Sequence, residues 1–277
     1  MPPWFNEESY NSIQNFVGKI PPYLYQYRSL EGERKVWIKD LITKSNLYFS
    51  KPSQFNDPLD CRISLDFTGT NLGIESYWRK YVRKMLPPNG RLRDHKANIN
   101  NLVKESRTKE GQKRLSKNIF KSLDKLGILC LTETSTNMLM WSYYARGHTG
   151  VCLKFKVILE NALLKKDQQI YPLKIKYTNT FPNTNYYTSD TENFIKSILG
   201  TKAKAWAHEA EWRFIINNKI GIIQSPMIQL SGIVTGMRTS KEDVESIRKW
   251  VAESGKPIEL YRIENKYRTF ELQLVEL

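Results

Sequence analysis

Histidine, cysteine and acidic residues are scarce in this sequence. It has three histidines in 277 residues with no acids clustered around them, which argues against a metal site. Cysteines stand only at 61, 130 and 152. An odd number with no C-x-x-C pair fits neither a disulfide framework nor a structural zinc site. No window approaches about 18 uncharged apolar residues, so no membrane span is expected. The start, MPPWFNEESY, shows neither a basic stretch nor an apolar one. The expectation is a chain without a secretory signal, soluble and cytoplasmic, in a reducing compartment. Neither G-x-G-x-x-G nor G-x-x-x-x-G-K-[ST] occurs, which makes a dehydrogenase or a P-loop NTPase a poor fit. No internal repeat or low-complexity linker divides the chain, so residues 1–277 read as a single domain.

Base is plentiful. Lys plus Arg number 43 against 28 Asp plus Glu, a net charge of +15. Between Arg79 and Leu126 there are fifteen Lys or Arg and only Asp94, Glu105, Glu110 and Asp124 against them. A sparse apolar stripe runs through this stretch, broken at Pro87-Pro88-Asn89-Gly90, so two or three helices are expected. Residues 74–126 thus read as a basic helical insertion. Residues 79–126 are either a solvated face or a surface for nucleic acid. Aromatics at 12%, with 15 Tyr and 7 Trp, suffice for a core and exclude a mostly disordered chain.

Along the chain, Asn6 to Val17 is a possible short helix. Tyr23 to Arg28 alternates as a strand, residues 31–44 have helical spacing, and Asn46 to Ser50 reads as a strand. Lys51 to Pro58 is a turn-rich loop that caps itself or lines a cleft. Strands are expected at Ile128 to Thr132, Val151 to Phe155 and Leu173 to Tyr177, with a short helix over Asn137 to Arg146 and helical character over Asn193 to Trp206. Glu211 to Ile216, Ile222 to Ile228 and Ile233 to Gly236 are β-rich. Ser240 caps a helix to about Ala252, and strands at Ile258 to Ile263 and Phe270 to Val275 follow. Without a regular βαβ repeat, this is α+β with mixed, mainly antiparallel pairing.

Trp206 to Arg213 is the most informative segment. As a strand it puts Glu209, Glu211 and Arg213 on one face. Two such carboxylates raise one another's pKa unless a cation such as Arg213 intervenes. They are either a solvated edge with a salt bridge or a catalytic pair. Arg28 at a strand end is either a structural ion pair or a phosphate ligand. In a helix, Trp141 and Tyr144 share a face and either pack in the core or stack on a flat ring. His148 and His208 are candidate acids or bases.

Four blocks occur in order: Leu24 to Ser29, Tyr48 to Pro58, Met140 to Phe155 and Trp206 to Arg213. On them the chain is identified as a member of a bacterial family of unknown function, the DUF2971 family. It also resembles ADP-ribosyltransferases, which implies antiparallel sheets forming a cleft for NAD. On that resemblance Arg28, with Ser29, would hold NAD. Trp141 with Ser142 or Tyr144 would pack against nicotinamide, although the S-T-S motif is absent and only Thr132 to Ser135 comes near it. Glu211 would be the catalytic glutamate, and Glu209 would activate the acceptor. A bacterial toxin or phage-defence effector with a cognate antitoxin or immunity partner is the implied setting. The alternatives are a non-catalytic nucleic-acid-binding module, or a glycohydrolase using Glu209 and Glu211.

Overall fold

A computed structural model describes residues 20–87, 89–158, 170–189 and 191–277; the expected helix at Asn6 to Val17 lies outside them. In chain order the elements begin with β1 (Tyr23–Arg28), α1 (Glu33–Lys44), β2 (Leu47–Phe49) and β3 (Ser64–Asp66). Three helices follow, α2 (Asn71–Met85), α3 (Lys96–Glu105) and α4 (Lys109–Leu123). Next come β4 (Leu126–Thr132), α5 (Met138–Tyr143), β5 (Val151–Val157), β6 (Ile170–Lys174), β7 (Lys176–Thr178) and β8 (Asn183–Asn185). After α6 (Thr191–Leu199) come β9 (Thr201–Ala203), β10 (Glu211–Asn217), β11 (Gly221–Ile223) and β12 (Ile228–Thr235). The chain closes with α7 (Lys241–Ser254), β13 (Glu259–Asn265) and β14 (Leu272–Glu276).

Eight strands form one sheet in the order β14-β13-β12-β5-β1-β4-β10-β6. Every pairing in it is antiparallel except β12 with β13, which α7 connects. The chain is therefore α+β with a mixed, mostly antiparallel sheet, as the sequence implies. Period-two alternation assigns the two faces. Leu129, Leu131, Trp212, Phe214 and Ile216 pack with Ile38, Leu41 and Ile42 of α1 and with Ile247 and Trp250 of α7. On the opposite face Leu126, Ile128 and Ile215 pack under Ile119 and Leu123 of α4 and Ile198 and Leu199 of α6. Farther along that second face, Tyr27, Cys152, Val234 and Ile263 are covered by Met140 and Trp141 of α5. A small separate core, Ile74, Trp78, Val82, Ile99 and Tyr187, holds α2 against α3.

The sheet is weakest in its middle. β1 registers with β5 over six residue pairs but with β4 at one, Tyr25 opposite Thr132. Elsewhere the seam is bridged by a side chain, Gln26 Nε2 donating to the Cys130 carbonyl at 3.0 Å. Farther along, Ser50 has taken the place of β1 beside Ile128. The covers of the second face also part over this seam, α4 and α6 on one side and α5 on the other. A sheet with a poorly laddered seam and no lid above it leaves a hollow there.

Several expected boundaries are corrected. The strand expected at Leu173 to Tyr177 is two, β6 and β7, which enter different sheets. The helix expected through Trp206 ends at Leu199; Gly200 follows it, its amide donating to the Lys196 carbonyl at 3.0 Å in a place where a Cβ would lie 2.5 Å from that carbonyl. β9 and a 3-10 turn at Lys204–Glu209 replace its second half. Residues 222–236 divide into β11 and one long β12 rather than at the points expected. Among the described residues no helix is long and apolar enough to cross a membrane.

Candidate active site

The hollow over the β1–β4 seam is a cavity of about 390 Å³, lined among others by Arg28, Ser29, Tyr144, Glu209 and Glu211. Five residues expected at a site therefore meet on one cavity, though 183 positions of chain separate the first from the last.

One end is cationic. Arg28, the last residue of β1, is half-buried and lines the cavity beside Arg34 of the first turn of α1. Neither guanidinium makes a hydrogen bond or ion pair among the described residues. Burial pulls the Arg28 pKa down and the charge of Arg34 adds to the effect. Two guanidinium groups on one cavity, neither paired with a carboxylate among the described residues, make a site for a bidentate anion. Ser29 Oγ accepts from the Glu31 amide at 3.2 Å, which steadies the turn between them.

The other end is a buried ion cluster. Arg213, 0% exposed, donates through Nε to Glu211 Oε1 at 2.8 Å and through Nη2 to Asp60 at 2.7 and 2.8 Å. Its Nη1 donates to the Leu199 carbonyl at 2.9 Å. Lys202 Nζ donates to Glu209 and, at 3.1 Å, to Glu211, and lies 3.6 Å from Asp60. Three carboxylates share two cations, so the fully ionised cluster keeps one negative charge. Burial works to raise the Glu211 pKa, but Arg213 and Lys202 outweigh it and hold the group at about 2. Burial raises the Glu209 pKa, against Lys202 and with help from the Glu211 charge. Two neighbouring carboxylates are thus driven apart in acidity, as acid–base pairs require.

Glu209 does not lie on the strand as expected. It ends the 3-10 turn, and Ala210 takes a left-handed conformation at φ 42° before β10 begins. That kink brings Glu209 onto the face of Glu211 by another route. Tyr144 donates to Glu209 Oε1 at 2.5 Å and accepts from Asn56 Nδ2 at 3.4 Å. The Phe55-Asn56 loop accordingly lines the cleft as well as capping itself.

Two expected site residues lie elsewhere. Tyr144 caps α5 in helical conformation, its amide donating to the Met140 carbonyl, and packs half-buried against the cluster that holds Trp141; only Tyr144 reaches the cavity. Trp141, 0% exposed, meets Tyr27 edge-on at 5.2 Å, stacks with His148 at 5.6 Å and donates to the Ser135 carbonyl. It is a core residue. Trp141→Ala is expected to cost about 3–5 kcal/mol, read as a lowered urea midpoint. Ser142 is exposed and donates back to the Met138 carbonyl at 2.9 Å. Among the histidines, His148 is held against Trp141, and His208 Nδ1 sits 3.1 Å from the Ala205 carbonyl; neither lines the cavity.

Sequence reasoning missed Asp60, Lys202 and Arg34. Asp60 lies two residues beyond the Phe55 to Pro58 stretch, and that proximity was its one signal. Lys202 was concealed in a stretch with helical spacing.

A family described as "Protein of unknown function (DUF2971)" matches residues 140–214, a span that holds the last four residues of α5, all of β5, and Lys202, Glu209, Glu211 and Arg213. No curated protein and no solved structure matches the chain.

Proposed function

We propose that this DUF2971 chain is an NAD-consuming enzyme of the ADP-ribosyltransferase type. The observation that carries the reading is the meeting of Arg28, Tyr144 and Glu211, from three distant stretches, on one cavity. The resemblance implied such a cleft, and its two ends suit the substrate. Arg28 and Arg34 offer paired forks to a diphosphate. Tyr144 supplies an aromatic wall beside Glu209, in the place that the resemblance shared with Trp141. Glu211, held ionised, faces the carbon that turns cationic.

In the reaction the bond from ribose C1′ to the nicotinamide nitrogen breaks, and its electron pair stays on that nitrogen, quenching the ring's positive charge. The remaining oxocarbenium ion is stabilised by the Glu211 carboxylate and the net negative cluster behind it. Glu211 also accepts from the ribose 2′-hydroxyl. The acceptor's lone pair then forms the new bond to C1′, and its proton passes to the Glu209 carboxylate. A base works best with a pKa near the operating pH, and the upward shift at Glu209 moves it that way.

Calorimetric titration with NAD tests the reading. Wild-type protein should bind it. Arg28→Ala and Arg34→Ala, each losing charge-assisted hydrogen bonds worth about 1.5–3 kcal/mol, should weaken binding roughly ten- to a hundredfold. Absence of binding in the wild type would overturn the proposal.

A further inference from the structure

α4 carries a feature that the cavity does not use. Lys109, Lys113, Lys117 and Lys121 recur at intervals of four, and all are exposed. Residues four apart lie on one helix face, so these lysines form a single ridge. Leu115, Ile119 and Leu123 lie on the opposite side, toward the core. None of the four lysines makes an ion pair among the described residues. Among the described residues from Arg79 to Lys125, only Arg79, Arg93 and Arg114 pair with carboxylates.

Such a ridge is unfavourable in the isolated protein. Each like-charged pair at i,i+4 costs about 0.2–0.5 kcal/mol, and a glutamate in place of every second lysine would reverse the sign. Lys109 also opens the helix directly after its cap, Thr108, whose side chain accepts from the Gly111 amide. A cation there opposes the helix dipole. A ridge that repels itself is relieved by a regularly charged polyanion. From Lys109 to Lys121 the helix rises by about 18 Å, matching roughly five phosphates of one nucleic-acid strand at 3.4 Å each.

We infer that the solvent face of α4 is a docking surface for the phosphate backbone of nucleic acid, gripping charge rather than reading bases. The inference does not rest on the function assigned to the cavity.

Fluorescence anisotropy with a labelled duplex of about 20 base pairs, and with one of its strands alone, tests it. Wild-type protein should bind at least one of the two with little regard to sequence, and with affinity that falls steeply between about 50 and 200 mM salt. The variant K109Q/K113Q/K117Q/K121Q removes four contacts while keeping residues of good helix propensity. It should bind at least tenfold more weakly, and its log–log salt slope on duplex should be shallower by about 3 to 4. An equal-charge control, K39Q/K241Q/R248Q/K249Q, should bind like wild type. No binding by the wild type, equal losses in the control, or tighter binding to phosphatidylserine vesicles than to either oligonucleotide would each overturn the inference. Matching thermal midpoints for both variants establish that each is folded.

Discussion

Arg213→Met is expected to lower unfolding stability by about 3–5 kcal/mol, a large part of the roughly 5–15 kcal/mol that a domain possesses. The side chain is wholly buried at the centre of β10, and its guanidinium reaches Asp60, Glu211 and the Leu199 carbonyl together. Methionine fills much of the volume but leaves three buried carboxylates, Asp60, Glu209 and Glu211, with Lys202 alone. The loss arises from the partners left without a counter-charge, more than from the bonds removed. Arg213→Lys restores one charge without the fork that satisfies several acceptors at once, and should recover only part of the loss. The pH dependence has a definite sign. Glu211 titrates at about 2 in the folded protein against an ordinary value of 4.5. Its contribution is present above about 4.5 and is lost as pH falls toward 2. The gap between wild type and Arg213→Met should therefore be widest near pH 7 and shrink in acid. Urea midpoints at pH 7 and near pH 3 check this, and a gap independent of pH would mean that the cluster does not hold Glu211 ionised.

The backbone elements that hold the site were legible where local signals agreed with tertiary demand. β1 spans the residues its alternation indicates, and Ser240 caps α7 through the Asp243 amide as its position implies. Arg28, Tyr144 and Glu211 meet on one cavity, and each sits at or next to the end of an element whose type could be read, whereas the 3-10 turn that carries Glu209 could not. What could not be read depends on contacts across the chain. Nothing local to Tyr23–Arg28 or Leu126–Thr132 reveals that the two strands touch at one residue pair, yet that seam makes the cavity. Lys202 was hidden because helical spacing continues past Gly200, whereas α6 ends at Leu199 and β9 begins at Thr201. Trp141 and Tyr144 pack in one cluster, as their helical spacing implies, but the spacing does not reveal that Trp141 is wholly buried there while Tyr144 reaches Glu209.

Glu211→Gln separates catalysis from stability in a way Arg213→Met does not. Removing one negative charge leaves Asp60 and Glu209 to balance Lys202 and Arg213, so the cluster becomes neutral instead of unpaired, and the structural loss is smaller. The amide keeps the shape of the carboxylate and can still hydrogen-bond a ribose hydroxyl, but it offers no charge to an oxocarbenium ion. NAD affinity should therefore change little, while nicotinamide release falls by about a hundred- to a thousandfold, the scale of removing one preorganised electrostatic group. That loss confined to turnover is the signature of an interaction made in the transition state. Glu209→Gln should behave differently. With the upward shift at Glu209, wild-type transfer should show an acidic limb above the ordinary carboxylate range, with activity lost as pH falls through it because a protonated Glu209 accepts no proton. Glu209→Gln should transfer slowly at every pH and lack that limb, while Glu211→Gln keeps it at a reduced rate. Nicotinamide release from labelled NAD, followed across pH for the three proteins, distinguishes these outcomes. Glu211→Gln turning NAD over at the wild-type rate would remove the acid from the chemistry and leave it a structural member of the cluster.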